Sequence, residues 1–265
     1  MKKIQTFFLV IVSLIGAYFS YKIFFKVEDV QSIKKSRIFL TGNIHGAVDI
    51  SRLSNENFPE QVYLSGDDNL IILGDFGLIW DGSIEDEMLL DELDKKRYNI
   101  LFVDGVYENF DLLKKYPTVR IYGGNATQIR DNIYRLHRGE IYLIDNKKFF
   151  VLGGGISEDK EYRVLGESYW NDEKPSEEEL LNAVNNLKSE DYVVDYVLTY
   201  LPPSNDLKMI GANKGRVITP NEINVFLQEV SEKLKYKRWF HSYYHLDKDI
   251  TRKHRSIYYD ILELK

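Results

Sequence analysis

The sequence predicts an α/β fold, and three observations point to it. Short, almost wholly apolar runs recur along the chain, each closing on a turn residue followed by polar groups. Longer segments with helix start signals lie between them. The composition is that of an ordinary globular protein, 44% hydrophobic and 29% charged over 265 residues, enough to bury a sizeable core.

The elements follow in order. Arg37–Thr41 is the first apolar run and ends at Gly42. Leu70–Leu73 ends at Gly74, Ile100–Val103 is followed by Asp104 and Gly105, and Val193–Thr199 closes at Pro202. Runs this short and this apolar fit strands buried on both faces. In α/β sheets, sites form at the carboxyl ends of strands, where the polar groups of this chain fall. Tyr134–Leu152 reads as a hairpin, two alternating runs around Asp145 and Asn146. Ser176-Glu177-Glu178-Glu179 is a capping box before an apolar-periodic stretch. Thr219-Pro220-Asn221-Glu222 predicts a second, with Pro at the first helical position.

The first residues differ in character. Ile4–Tyr21 carries no charge, and allowing Lys22 to snorkel extends the apolar span to Phe25. That is long enough to cross a bilayer, for which about 20 residues suffice. A cleaved signal peptide would end in small residues, whereas this segment ends in Tyr18-Phe19-Ser20-Tyr21. We therefore expect a membrane anchor over 1–26, a polar linker over 27–36 and one domain over 37–265. Lys22, Lys26, Lys34, Lys35 and Arg37 outnumber Lys2, Lys3 and the amino terminus, which favours the cytoplasmic side for the domain.

Composition also excludes. A formal net charge of −6 with no basic stripe argues against a nucleic-acid partner. The absence of cysteine removes disulfides, thiolate metal sites and cysteine nucleophiles. Gly153-Gly154-Gly155 lacks the Lys-Ser/Thr of a P-loop, and no G-x-S-x-G occurs.

Five strand ends carry the chemistry. They are Gly42-Asn43-Ile44-His45-Gly46, Gly74-Asp75-Phe76-Gly77, Gly105-Val106-Tyr107-Glu108-Asn109, Leu198-Thr199-Tyr200-Leu201-Pro202, and Trp239-Phe240-His241-Ser242-Tyr243-Tyr244-His245. In this order the set resembles the calcineurin-like metallophosphoesterases, whose blocks are D-x-H, G-D, G-N-H-D/E, a lone His and G-H-x-H. It is closest to a bacterial branch of that superfamily, and covers roughly residues 37–262. The resemblance implies a two-sheet α/β/β/α sandwich and hydrolysis of phosphate esters on two divalent metals.

The departures from those blocks bear on the chemistry. The resemblance puts the first metal on Asn43, His45, Asp75 and His245; Asn43 there keeps an oxygen and loses the charge. It puts the second metal on Asp75, Val106, Tyr200 and Tyr243. Valine has no donor atom, and a neutral phenol is a poor ligand at neutral pH. Tyr107 stands where the family has the histidine of Gly-Asn-His, so no catalytic residue is assigned. One carboxylate faces what would be two cations, which argues against a dinuclear site. A single divalent ion (Mn, Fe or Zn) on His45, Asp75 and His245 is one reading, since two His and one carboxylate form a recognised ligand set. Remnants hydrogen-bonded within a vestigial pocket are the other. His241 is expected either as an edge histidine or, sharing a strand face with Tyr243 and His245, as a displaced ligand. His137 and His254 match no metal motif.

Two functions follow. One is a membrane-tethered pseudoenzyme that binds or scaffolds a protein or a phosphorylated small molecule. The other is a slow phosphoesterase working with one metal.

Overall fold

A computed structural model describes residues 35–265. The expected anchor and all but the last two residues of the linker lie outside the described residues. Among the described residues no helix is long and apolar enough to cross a membrane.

The apolar runs become strands where the sequence places them. β1 (Ile38–Thr41), β2 (Asn69–Leu73) and β3 (Asn99–Val103) pair in parallel. β6 (Ile133–Leu136) continues them, and β5 (Gly124–Arg130) and β4 (Thr118–Ile121) extend that edge antiparallel. β13 (Leu262–Leu264) closes the other edge against β1, giving seven strands. The second sheet has six: β7 (Ile141–Ile144), β8 (Lys147–Leu152), β9 (Tyr196–Thr199), β10 (Arg238–His241), β12 (His254–Ser256) and β11 (Lys248–Asp249).

Alternation along each strand builds the layers. Ile38, Leu40, Ile71, Leu73, Leu101 and Val103 share one core with Phe149, Val151, Leu198 and Phe240, so the sheets meet face to face. The opposite face of the first sheet (Phe39, Leu70, Ile72, Ile100, Phe102) packs on Leu90 and Leu93 of helix Ile84–Asp94 and on Phe110 and Leu113. The outer face of the second sheet (Phe150, Leu152, Val197, Trp239) packs on helices Glu177–Ser189 and Glu222–Lys233. The result is a mixed α/β sandwich of two facing sheets with helices outside both, and its central strands are buried on both faces as their composition requires.

Two local expectations change. The hairpin is β7–β8 only, turning at Asp145 and Asn146, both with positive φ. Tyr134–Leu136 belongs instead to β6 in the other sheet. The capping box before Glu222–Lys233 is formed by Asn221 and Asn224, not by Thr219 and Glu222, so Pro220 precedes the cap. The box at Ser176 and Glu179 is present as read.

Candidate functional site

Five strands deliver their carboxyl ends to one place. The segment after β1 carries Asn43 and His45; the segment after β2 carries Asp75; that after β3 carries Val106 and Tyr107. From the second sheet β9 delivers Tyr200, and β10 leads to Tyr243 and His245. The backbone is bent to do so: His45, Asp75 and His245 have φ of 51°, 35° and 51°. Left-handed backbone costs a side-chain-bearing residue about 1–3 kcal/mol, and it persists where surrounding contacts over-determine it. Here the N–H groups of Ile44 and His45 both donate to the Asp75 carbonyl, at 3.1 and 2.8 Å. Gly105 lets the next loop come close: a β-carbon there would lie 2.1 Å from Asp75 Oδ1.

Asp75 is the hub, and it is 1% exposed. Its Oδ1 accepts from the backbone N–H groups of Val106 (2.8 Å) and Tyr107 (3.0 Å). Its Oδ2 accepts from the Asn43 amide at 2.6 Å and from the Tyr200 hydroxyl at 2.6 Å. A carboxylate has about four lone-pair sites, so these four donors use its whole acceptor capacity. Hydrogen bonds to a charged group each contribute about 1.5–3 kcal/mol net. Val106, which has no side-chain donor, thus serves through its backbone.

Asn43 corrects an expectation. Its Nδ2, not its oxygen, faces both Asp75 and His245 Nε2, the latter at 3.2 Å. An amide between a carboxylate and a ring nitrogen must present hydrogens to both, so His245 Nε2 is an acceptor. The Oδ1 of Asn43 is buried with no hydrogen-bond partner. Burial against Tyr258, whose ring stacks at 4.5 Å, and the neighbouring His45 hold His245 below the usual histidine pKa, which keeps Nε2 free to accept.

Tyr200 is buried in a slot that glycines leave open. A β-carbon on Gly74 would lie 2.1 Å from the Tyr200 ring, and one on Gly155 2.9 Å from it. Tyr243 packs edge-on against it at 5.1 Å. Burial, and then the charge of Asp75, push the Tyr200 hydroxyl well above its usual pKa, so it remains a donor. Tyr243 is raised as well, first by burial and then by Glu158. Tyr107, 39% exposed, lies with its ring under the Arg163 guanidinium at 4.5 Å.

His45, Asp75 and His245 do come together, with one potential ligand atom from each within 4.8 Å of the others. His45 is oriented as a metal-bound histidine is: Nδ1 donates to Asp49 at 2.8 Å and Nε2 stands 3.7 Å from Asp75 Oδ2. Asp75 does not fit the same role, because Oδ2 already holds two short hydrogen bonds. An ion there would have to displace the Asn43 amide or the Tyr200 hydroxyl. Val106, Tyr200 and Tyr243 offer nothing to a second ion.

His241 lies elsewhere, correcting both expectations for it. The strand ends at His241, so the alternation that would align it with Tyr243 and His245 is broken. Its side chain is fully buried, 3.8 Å from Asp206, and both ring nitrogens lack hydrogen-bond partners. His254 is structural, bound to Asp206 at 2.7 Å and to the Tyr236 hydroxyl at 2.6 Å. Ser242 has no left-handed φ and its hydroxyl donates to the Leu73 carbonyl.

Several contributors escaped the sequence reading. Asp49 orients His45; its spacing four residues on was the available signal. Glu108 clamps the Asp75 turn, accepting from the N–H of Phe76 at 2.7 Å and of Gly77 at 3.3 Å. Burial, then Asp75, raise its carboxyl well above the usual range. Beside Asp75 opens a cavity of about 250 Å³ lined by Tyr107, Tyr243 and Tyr244, by Arg163, Lys214 and Arg216, and by Glu158 and Asp159. No family model matches the chain, and no curated protein matches it.

Proposed function

We propose that this chain is a degenerate metallophosphoesterase-type protein that works without metal catalysis, as a binding or scaffolding module tethered to a membrane by its apolar N-terminal segment. One observation carries the reading: four neutral protein donors occupy the carboxylate that a metal centre would need. Tyr107 also stands where the resemblance implies a histidine. The ligand that suits the remaining cavity is a small phosphorylated molecule. Its lining supplies Arg163, Lys214 and Arg216 alongside Glu158 and Asp159; Asp159 pairs with Arg163 at 2.9 Å, and Glu158 approaches Arg216 only to 3.8 Å. At about 250 Å³ the cavity is smaller than the roughly 300–1,000 Å³ of typical ligand sites.

The test is turnover. Full-length protein in detergent, stripped of metal and reloaded with manganese, is assayed on aryl phosphate mono- and diesters. The reading expects no hydrolysis above that of an Asp75→Ala control. Metal-dependent turnover abolished by Asp75→Ala would overturn it.

The orientation of His45 by Asp49 favours a second reading, a slow phosphoesterase with one Mn, Fe or Zn ion on His45, Asp75 and His245. It predicts hydrolysis that follows bound metal one to one.

A further inference from the structure

We infer that Tyr200 is the residue that excludes the divalent cation: its hydroxyl, with the Asn43 amide, occupies Asp75 Oδ2 as the internal substitute for a metal. This rests on the metal-free reading above and says what enforces it.

The argument is geometric. The other parts of a single-metal site persist. His45 is held by Asp49, His245 faces inward, and the ligand atoms of both lie within 4.8 Å of an Asp75 oxygen. What blocks the ion is on Oδ2. An ion on that oxygen would sit about 2.0–2.2 Å from it, beside a phenolic oxygen held 2.6 Å away. The phenol cannot withdraw. Its ring is 1% exposed, wedged where a β-carbon on Gly74 or Gly155 would collide with it, and backed by Tyr243. Asn43 is less decisive, because turning its amide would move a hydrogen-bond donor away and bring its unpartnered Oδ1 towards the centre. Tyr243 makes no hydrogen bond to Asp75 and packs edge-on beside Tyr200. Of the two tyrosines at lost ligand positions, only Tyr200 is placed to act on the carboxylate.

The experiment is a titration of metal-stripped, full-length protein in detergent with zinc chloride and with manganese chloride, read as heat and as ions retained per chain after dialysis. The native chain is expected to retain none. Tyr200→Phe frees a lone pair of Oδ2 and is expected to retain one ion, with affinity at least about tenfold above native. Tyr200→His, whose smaller ring enters the same slot, is expected to do so too, and serves should the Phe variant not fold. Tyr243→His adds the same kind of ligand next door but leaves the Tyr200 hydroxyl in place; it is expected to retain none. Folded Tyr200 variants that bind no ion would overturn the inference and leave the metal-free reading standing. Equal gains in Tyr243→His and Tyr200→His would also overturn it. A native chain that already retains an ion would overturn both.

Discussion

Two buried carboxylates at neighbouring strand ends are treated in opposite ways. Asp104, after β3, is fully buried and bound by two arginines: Arg135 Nε at 3.0 Å, and Arg138 through Nε at 2.8 Å. Asp75, after β2, is as deeply buried but meets only neutral donors and two histidines. A charge needed for architecture alone is neutralised by a fixed guanidinium, which also ties Arg138 to Glu179 and the helix it caps. Asp75 has no such partner, and its neighbours satisfy it one hydrogen bond at a time. The contrast marks Asp104 as structural and Asp75 as the centre of the candidate site, where the proposed reading puts protein hydrogens in the place of a cation.

The largest expected effect lies at Asp104. The double variant Arg135→Ala with Arg138→Ala leaves Asp104 as an uncompensated buried charge and is expected to lower stability by about 3–5 kcal/mol in chemical denaturation; a loss below 1 kcal/mol would end the structural side of the comparison. Burial works to raise the Asp104 pKa, and Arg135 and Arg138 outweigh it to leave the group below the usual range. Its stabilising contribution is thus present above the unfolded pKa of 3.8 and lost as pH falls through the folded value.

A third buried carboxylate, Asp206, sharpens the point through its neighbour His241. Burial, opposed by Asp206, lowers the His241 pKa from 6.5 to about 4. The unfolded chain therefore binds more protons in that window, and stability falls as pH drops from about 6.5 to about 4, by about 3 kcal/mol. His241→Phe should flatten this slope in pH-dependent melts. An unchanged slope would mean that His241 is solvated.

Smaller effects belong to the tyrosines. Tyr200→Phe removes one donor from Asp75 and is expected to destabilise the metal-free protein by about 2 kcal/mol, recovered in part when zinc is added. Tyr243→Phe leaves Asp75 untouched, and its effect is expected to stay within about 1 kcal/mol with no response to zinc. Equal effects would erase the distinction between the two rings.

Much of this was legible. Four apolar runs became strands, and the polar residues at their ends converge, because a strand buried on both faces must be apolar and must expose its chemistry at its end. That Val106, Tyr200 and Tyr243 carry no good metal donor could be read directly. Their contacts could not. The Tyr200 hydroxyl reaches Asp75 across 125 residues, and only the folded chain shows it using up an oxygen. The turn of the Asn43 amide depends on that same carboxylate. His241 was misplaced because strand alternation was carried past the strand's end, into a segment where His245 adopts a left-handed φ. The Asp104 arginines were missed because local periodicity holds no record of pairings between strand ends.

The most direct test of the central claim is the metal content of the full-length native protein after saturation with manganese or zinc and exhaustive dialysis. With Asp75 saturated by the chain's own donors, we predict zero ions per chain. One or two tightly retained ions per chain, lost on Asp75→Ala, would contradict it.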